Sequence, residues 1–372
     1  MVRRLAALLA HPLGRLAAGW AGVFLLLLLA LPLALRLGAG RTALAFLAEF
    51  LTEGERPWLS AARRSPERET IALGRDGATA DLWRSPGAPP APGLVLVHGL
   101  TPLGKDDPRL TWAAALLARG GLAVLVPELP ELRRQRLRPD DAAVVRDALA
   151  RLAADPGIRG PVGVLAVSVG VQPALAAAAG DARVGRVVSL GGYAEARELV
   201  RYFTTGAYAF GTARGQVALD RALAREFLAV NLDLVRDPAE RAAVQAALAG
   251  RPLPGSAGAE ARAVVAVLGN EDPARVDTLL AALPPATQAL LDALSPARDV
   301  RRLRGRLLLV HGRDDPAIPF TESLRLAAAA DPTRTRLVLV NLLAHVEGRA
   351  PAWQQARDLF ALWTVAYELF RP

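Results

Sequence analysis

The stretch "GVLAVSVGVQPALAAAAG", Gly163 to Gly180, is small and almost entirely apolar, and Ser168 interrupts it. Residues Val162 to Val167 have the continuous apolar character of a short buried strand, whereas Val169 to Ala179 are rich in good helix formers. Ser168 therefore falls where a strand gives way to a helix. Outward from this junction the same alternation repeats. Leu94 to Val97, in "APGLVLVHG", predicts a buried strand, Asp107 to Arg119 a helix stopped by Gly120-Gly121, Leu122 to Val126 a strand, and Asp140 to Ala154 a capped helix. Val187 to Leu190, Arg306 to Val310 and Leu337 to Val340 continue the strands, and Ala352 to Phe370 predicts a long terminal helix. Repeated β-α alternation implies an α/β fold, a doubly wound and mainly parallel sheet covered on both faces.

The alternation breaks between Tyr193 and Val300. Patterns such as "DRALAREFLAVNL" and "VDTLLAALPPATQALLDAL" are helical, with no convincing strand among them. A helical block set between two strands of a parallel sheet emerges at one end of that sheet, so residues 193–300 are expected to form a cap or lid over a site at the strands' carboxyl ends. Its apolar faces imply an acyl pocket beneath it, with Tyr202 and Phe203 the first aromatic pair placed to line it. The core then divides into residues 70–192 and 301–372.

The N-terminal part reads differently. Leu16 to Leu35, "LAAGWAGVFLLLLLALPLAL", carries no charge and as a helix would be about 30 Å long, one hydrocarbon core thick. Residues 1–40 are expected to be a single-pass membrane anchor, with a cleaved signal peptide as the alternative because Gly38-Ala39-Gly40 and Ala43-Leu44-Ala45 offer small-x-small sites. Arg3, Arg4 and Arg15 before the run place that end in the cytoplasm and the rest of the chain beyond the membrane. Residues 41–69 alternate apolar clusters with charge and predict a juxtamembrane helix and linker. The net charge of +9 comes from scattered arginines and a single lysine, Lys105, without basic runs or stacking aromatics, which argues against a nucleic-acid partner. The absence of cysteine excludes disulfides, thiolate metal sites and a thiol nucleophile.

"AVSVG", Ala166 to Gly170, resembles the nucleophile elbow of the α/β-hydrolase superfamily, with alanine where a first glycine is commoner. The resemblance covers about Thr70 to Phe370 and implies the α/β-hydrolase fold with a helical cap insertion. It also implies a serine hydrolase in which Ser168 is the nucleophile. A serine that merely caps a buried helix is the bland alternative. Of the four histidines, His11 precedes the apolar run, and His98 and His311 each end a strand before glycine and are expected to shape loops. His345, in "NLLAHVEG" between the last strand and the terminal helix, stands where members of the superfamily carry their base. "LLLVHGRDDPAIP" is similar to the family's acid loop, whose spacing selects Asp315, with Asp314 as the immediate alternative. The chain order Ser168, Asp315, His345 is the superfamily's order of nucleophile, acid and base.

The family's oxyanion donors would be the backbone N–H groups of Val169 and of Leu100, in "HGLTPLG". The resemblance implies no cofactor and no metal, and an apolar acyl substrate. Carboxylic esters are favoured over thioesters, lactones and peptides, to which the triad itself is indifferent. The alternative class is a non-catalytic scaffold of the same fold that binds a ligand or partner beneath its insertion.

Overall fold

The computed structural model describes residues 37–74, 77–87, 90–219, 229–341 and 352–371. Among the described residues there are ten strands: β1 Glu67–Leu73, β2 Ala78–Arg84, β3 Gly93–Val97, β4 Ala123–Pro127, β5 Val162–Val167, β6 Val184–Leu190, β7 Ala207–Phe210, β8 Ala213–Gln216, β9 Arg306–Gly312 and β10 Thr335–Val340. Eight of them form one sheet in the order β1-β2-β4-β3-β5-β6-β9-β10. β1 pairs antiparallel with β2, and β2 antiparallel with β4; from β4 to β10 every pairing is parallel.

The parallel strands read as unbroken apolar runs because both faces are covered. Their side chains nonetheless sort by the two-residue period of a strand. Val95, Val97, Val164, Ala166, Val187, Leu307 and Leu309 pack on one face with helices Asp141–Ala153 and Val171–Ala178. Leu94, Leu96, Leu165, Val188, Leu308 and Val310 pack on the other with helices Pro108–Arg119 and Ala352–Phe370. Helix Pro108–Arg119 shows how local chemistry sets an element's limits. The Asp107 carboxylate accepts from Arg109 N, Pro108 opens the helix, and Gly121 at φ +100° lets the chain turn away.

Residues 37–51 are helical and belong to this second face. Phe46 stands edge-on to Phe370 with centroids 5.4 Å apart, and Phe50 stacks on Trp112 at 5.6 Å. The buried Glu49 carboxylate receives the N–H groups of Leu59 and Ser60 at 2.8 and 3.0 Å, which fixes the short helix Trp58–Ala62 that follows. The helix expected in residues 41–69 is thus docked on the core from its first described turn, and the linker part is short. The run Leu16 to Leu35 lies outside the described residues. Among those described, no helix is long and apolar enough to cross a membrane.

Between β6 and β9 the chain forms helices Ala196–Thr205, Pro238–Leu248, Ala259–Leu268, Val276–Ala281, Pro285–Ala293 and Ala297–Val300. It also forms a hairpin, β7 with β8, where the sequence shows no strand. The reason is tertiary: Arg325, on helix Thr321–Ala329, donates to Ala209 O at 2.6 Å and lies 5.0 Å over the Phe210 ring, so a partner far along the chain holds a segment too short to show periodicity. The two ends of the block are bound to each other. Tyr193 OH donates to Leu294 O at 2.7 Å, Ala297 N to Ala194 O at 3.1 Å, and Ala196 N to Ser295 Oγ at 3.0 Å. A second attachment joins Asn231 Oδ1 to Leu137 N at 3.1 Å and Asp233 to Arg136 at 3.0 Å.

Candidate active site

Ser168 has φ +54°, a left-handed conformation that costs a non-glycine residue about 1–3 kcal/mol. The chain passes directly from β5 through it into a 3₁₀ turn, Ser168–Gly170, and helix Val171–Ala178. Two glycines make the turn sterically possible. A Cβ at Gly170 would stand 2.2 Å from the His98 carbonyl oxygen, and one at Gly99 would stand 3.1 Å from Ser168 Cβ. The loop after β3 is therefore pressed against the serine, and Leu100 follows in that loop. Val169 is the second residue of the helical run, so its N–H has no partner within the helix. Ser168 itself is half-buried.

The loop that carries Asp314 and Asp315 lies along the same sheet edge. A Cβ on Gly191, at the end of β6, would be 3.1 Å from Asp315 Oδ2. β6 is the strand between β5, which carries Ser168, and β9, which leads to Asp315. Asp315 Oδ1 accepts from the N–H groups of Ala317 and Ile318 at 2.8 and 3.1 Å, while Oδ2 lies 3.6 Å from His311 Nε2. Asp314, its neighbour, points to solvent. The Tyr202 hydroxyl donates to Pro316 O at 2.8 Å, and its pKa is pushed up to about 12, chiefly by burial and further by the Asp315 charge. Tyr202 is 1% exposed. Its ring stands edge-on to Phe203 and Tyr208, and its hydroxyl holds the loop that carries Asp315. A cavity of about 440 Å³ lies beside the neck of the insertion, lined by Glu195, Arg197, Glu198, Arg301 and Arg325 among others; it is charged, and Ser168 is not part of its wall.

The two histidines that end strands have structural partners on both ring nitrogens. His98 Nδ1 lies 2.8 Å from Gly99 O and must donate there, so Nε2 accepts from Leu129 N–H at 3.3 Å. His311 Nε2 donates to Ile318 O at 2.9 Å, leaving Nδ1 to accept from Ser323 Oγ at 2.7 Å. Burial pushes both pKa values down and keeps the rings neutral. Both are loop-shaping residues, and His311 braces the acid loop. His345 lies outside the described residues. The segment that carries it starts from Asn341, whose N–H is held at 2.8 Å by the buried Asp358 carboxylate.

Strand order, the second strand that alone runs against the rest of the sheet, the strained serine after the fifth strand and the Asp314–Asp315 loop after β9 decide the architecture. The chain has the α/β-hydrolase fold. Within that fold, sequence reasoning missed Glu322, which is 1% exposed and accepts the Ala194 and Glu195 N–H groups at 3.0 Å each. It ties the start of the insertion to the helix after the acid loop. Burial raises its pKa, opposed by those two donors and by Arg325. A glutamate in a helical first turn gives no local sign of such burial, because its partners lie more than a hundred positions away.

No family model matches the chain. A 73-residue stretch, 19% of the chain, is 37% identical to the 2-hydroxy-6-oxo-2,4-heptadienoate hydrolase of Pseudomonas putida and spans 23% of that protein's length. Among solved structures, the chain is similar to a 2,6-dihydroxy-pseudo-oxynicotine hydrolase, with a TM-score of 0.46 and 16% identity over 92% of this chain and 82% of the other. It is also similar to a puromycin-hydrolyzing peptidase from Mycobacterium tuberculosis, with a TM-score of 0.48 and 16% identity over 82% of this chain and 38% of that one.

Proposed function

We propose that the protein is a serine hydrolase that cleaves ester-type acyl bonds, carboxylic esters foremost, through an acyl-enzyme on Ser168. The reading rests on the +54° φ of Ser168, a strained position that places a hydroxyl at the sheet's carboxyl edge and that Gly99 and Gly170 accommodate. Ser168 Oγ attacks the acyl carbon and gives its proton to His345. The developing oxyanion is met by the N–H groups of Leu100 and Val169. Collapse of the tetrahedral intermediate expels the alcohol, which takes the proton from His345. Water, deprotonated by the same histidine, then releases the acid. Asp315 orients and stabilises the imidazolium. With Oδ1 engaged by two backbone N–H groups, Oδ2 is the oxygen directed to that task.

The same proposal places the hydrolase domain outside the cytoplasm, tethered by Leu16 to Leu35. Reporter fusions after Leu73 test the orientation, and an active cytoplasmic reporter there reverses it. Activity is tested by labelling the full chain with a fluorophosphonate probe. Rapid labelling that disappears in Ser168→Ala supports the hydrolase, whereas equal labelling of both, or none of the folded wild type, overturns it. A panel of acyl esters and thioesters of graded chain length then assigns the bond and the acyl group.

A further inference from the structure

The terminal helix packs alongside the helix at residues 37–51, with Phe46 against Phe370 toward one end and Trp363 against Gly40 toward the other. Trp363 Nε1 donates to Gly40 O at 3.0 Å, and a Cβ on Gly40 would stand 3.3 Å from the indole ring. One turn to either side of Gly40, on the same face, stand Leu37 and Leu44, which are 59% and 54% exposed. One turn to either side of Trp363 stand Phe360 and Tyr367, stacked on it at 5.7 and 5.6 Å. Phe360 is 63% exposed and Trp353, two turns before it, 67%. These side chains stand on the outer faces of the two adjacent helices, with the exposed Arg41 and Arg357 set among them, Arg357 also lying 3.7 Å from the buried Asp358 carboxylate.

We propose that this face rests in the interfacial layer of a lipid bilayer. Three observations select lipid as the occupant. The apolar run Leu16 to Leu35 ends two positions before Leu37, so a bilayer that receives that run lies beside this face. Tryptophan and tyrosine, amphipathic rings with one polar atom, are the side chains that favour the headgroup level. Arg41 and Arg357 provide positive charge for anionic headgroups. The inference rests on the proposal that Leu16 to Leu35 enters a membrane, and goes beyond it by making the folded domain itself a membrane-contacting body with a fixed orientation.

The chain has no cysteine, so single cysteines report single sites. Phe360→Cys, Leu44→Cys and, as the control on the exposed surface of the insertion, Arg251→Cys are each labelled in the full chain with an environment-sensitive dye. All three positions are exposed, so the labels are tolerated by the fold. The proteins are mixed with vesicles of phosphatidylcholine and phosphatidylglycerol. The dye at 360 and at 44 should shift its emission to the blue and be quenched by a nitroxide carried at a shallow acyl position, while the dye at 251 should be quenched by aqueous iodide alone. If the chain floats with the vesicles but the dye at 360 is quenched only by iodide, the proposal for this face fails and the anchor stands. Shielding of the dye at 360 from both quenchers means that a second copy or another part of the chain covers the face, and overturns the proposal. Failure to float, with free access of iodide at 360, overturns the face and the anchor together.

Discussion

The Tyr202 hydroxyl donates to the Pro316 carbonyl at 2.8 Å, joining the first helix of the insertion to the residue next to Asp315. A residue of the insertion thus holds the acid loop from outside the sheet. Tyr202→Phe keeps the ring contacts with Phe203 and Tyr208 and removes this one bond. A buried hydrogen bond of this kind contributes about 1 kcal/mol. The variant should melt slightly below the wild type and lose ester turnover severalfold with little change in KM. Unchanged kinetics would show that the loop needs no support from the insertion.

Ser168 separates stability from activity. Glycine adopts φ +54° without strain, so Ser168→Gly should raise folding stability by about 1 kcal/mol while removing the nucleophile. Ser168→Ala keeps the strain and gains nothing. Both should lose on the order of 10⁵–10⁶ in ester turnover, the range for triads on other folds. Denaturant melts alongside ester assays check the pair; wild-type activity in a folded Ser168→Ala protein would remove the serine from the reaction.

Asp315 and Asp314 differ in surroundings more than in chemistry. Asp315 is 26% exposed, accepts two backbone N–H groups and faces the end of β6, whereas Asp314 is exposed. Asp315→Asn should reduce turnover on the order of 10⁴, by analogy with the acid of other triads. Asp314→Asn should be close to silent. Kinetics on both variants, with circular dichroism to confirm folding, decide between the two acids.

Acid should destabilise the fold through its neutral histidines. The folded pKa values of His98 and His311 lie below the ordinary histidine value near 6.5, so the native state binds fewer protons than the unfolded chain. Their contribution is complete above about pH 6.5 and is lost as pH falls from there toward the folded values. Asp141 works in the opposite direction: burial pushes its pKa up to about 6, and the stability held by its neutral form is lost as pH rises from about 4 toward 6. The wild-type curve contains both slopes. The difference in unfolding free energy between wild type and His311→Gln, followed by urea titration from neutral to mildly acid pH, isolates one histidine and should shrink as pH falls. A flat difference would mean that His311 titrates alike in both states.

Much of the fold was legible because the signals are local. Continuous apolar runs marked β3, β4, β5 and β9, and the terminal helix Ala352–Phe370 has the limits its sequence predicts. The position of Ser168 follows from a strand running directly into helix formers, whereas its φ of +54° is visible only in the fold. The expectation that His98 and His311 shape loops came from their places after strands. Only the fold shows the means, in carbonyl, hydroxyl and N–H partners from other segments.

What the sequence by itself determined is the set of residues within one element: which are strand, which are helix, and where a hydroxyl, a carboxylate pair and a histidine sit in chain order. Tertiary structure decided what depends on neighbours far along the chain. It alone shows the hairpin β7–β8 held by Arg325, the burial of Tyr202 under the acid loop, and the docking of residues 37–51 against Phe370. It also brings Asp315 to the end of β6, where a Cβ on Gly191 would stand 3.1 Å from its Oδ2. The division has a physical cause. Periodicity and helix propensity act over a few residues, whereas burial, charge and strain are set by whatever the closed sheet brings alongside.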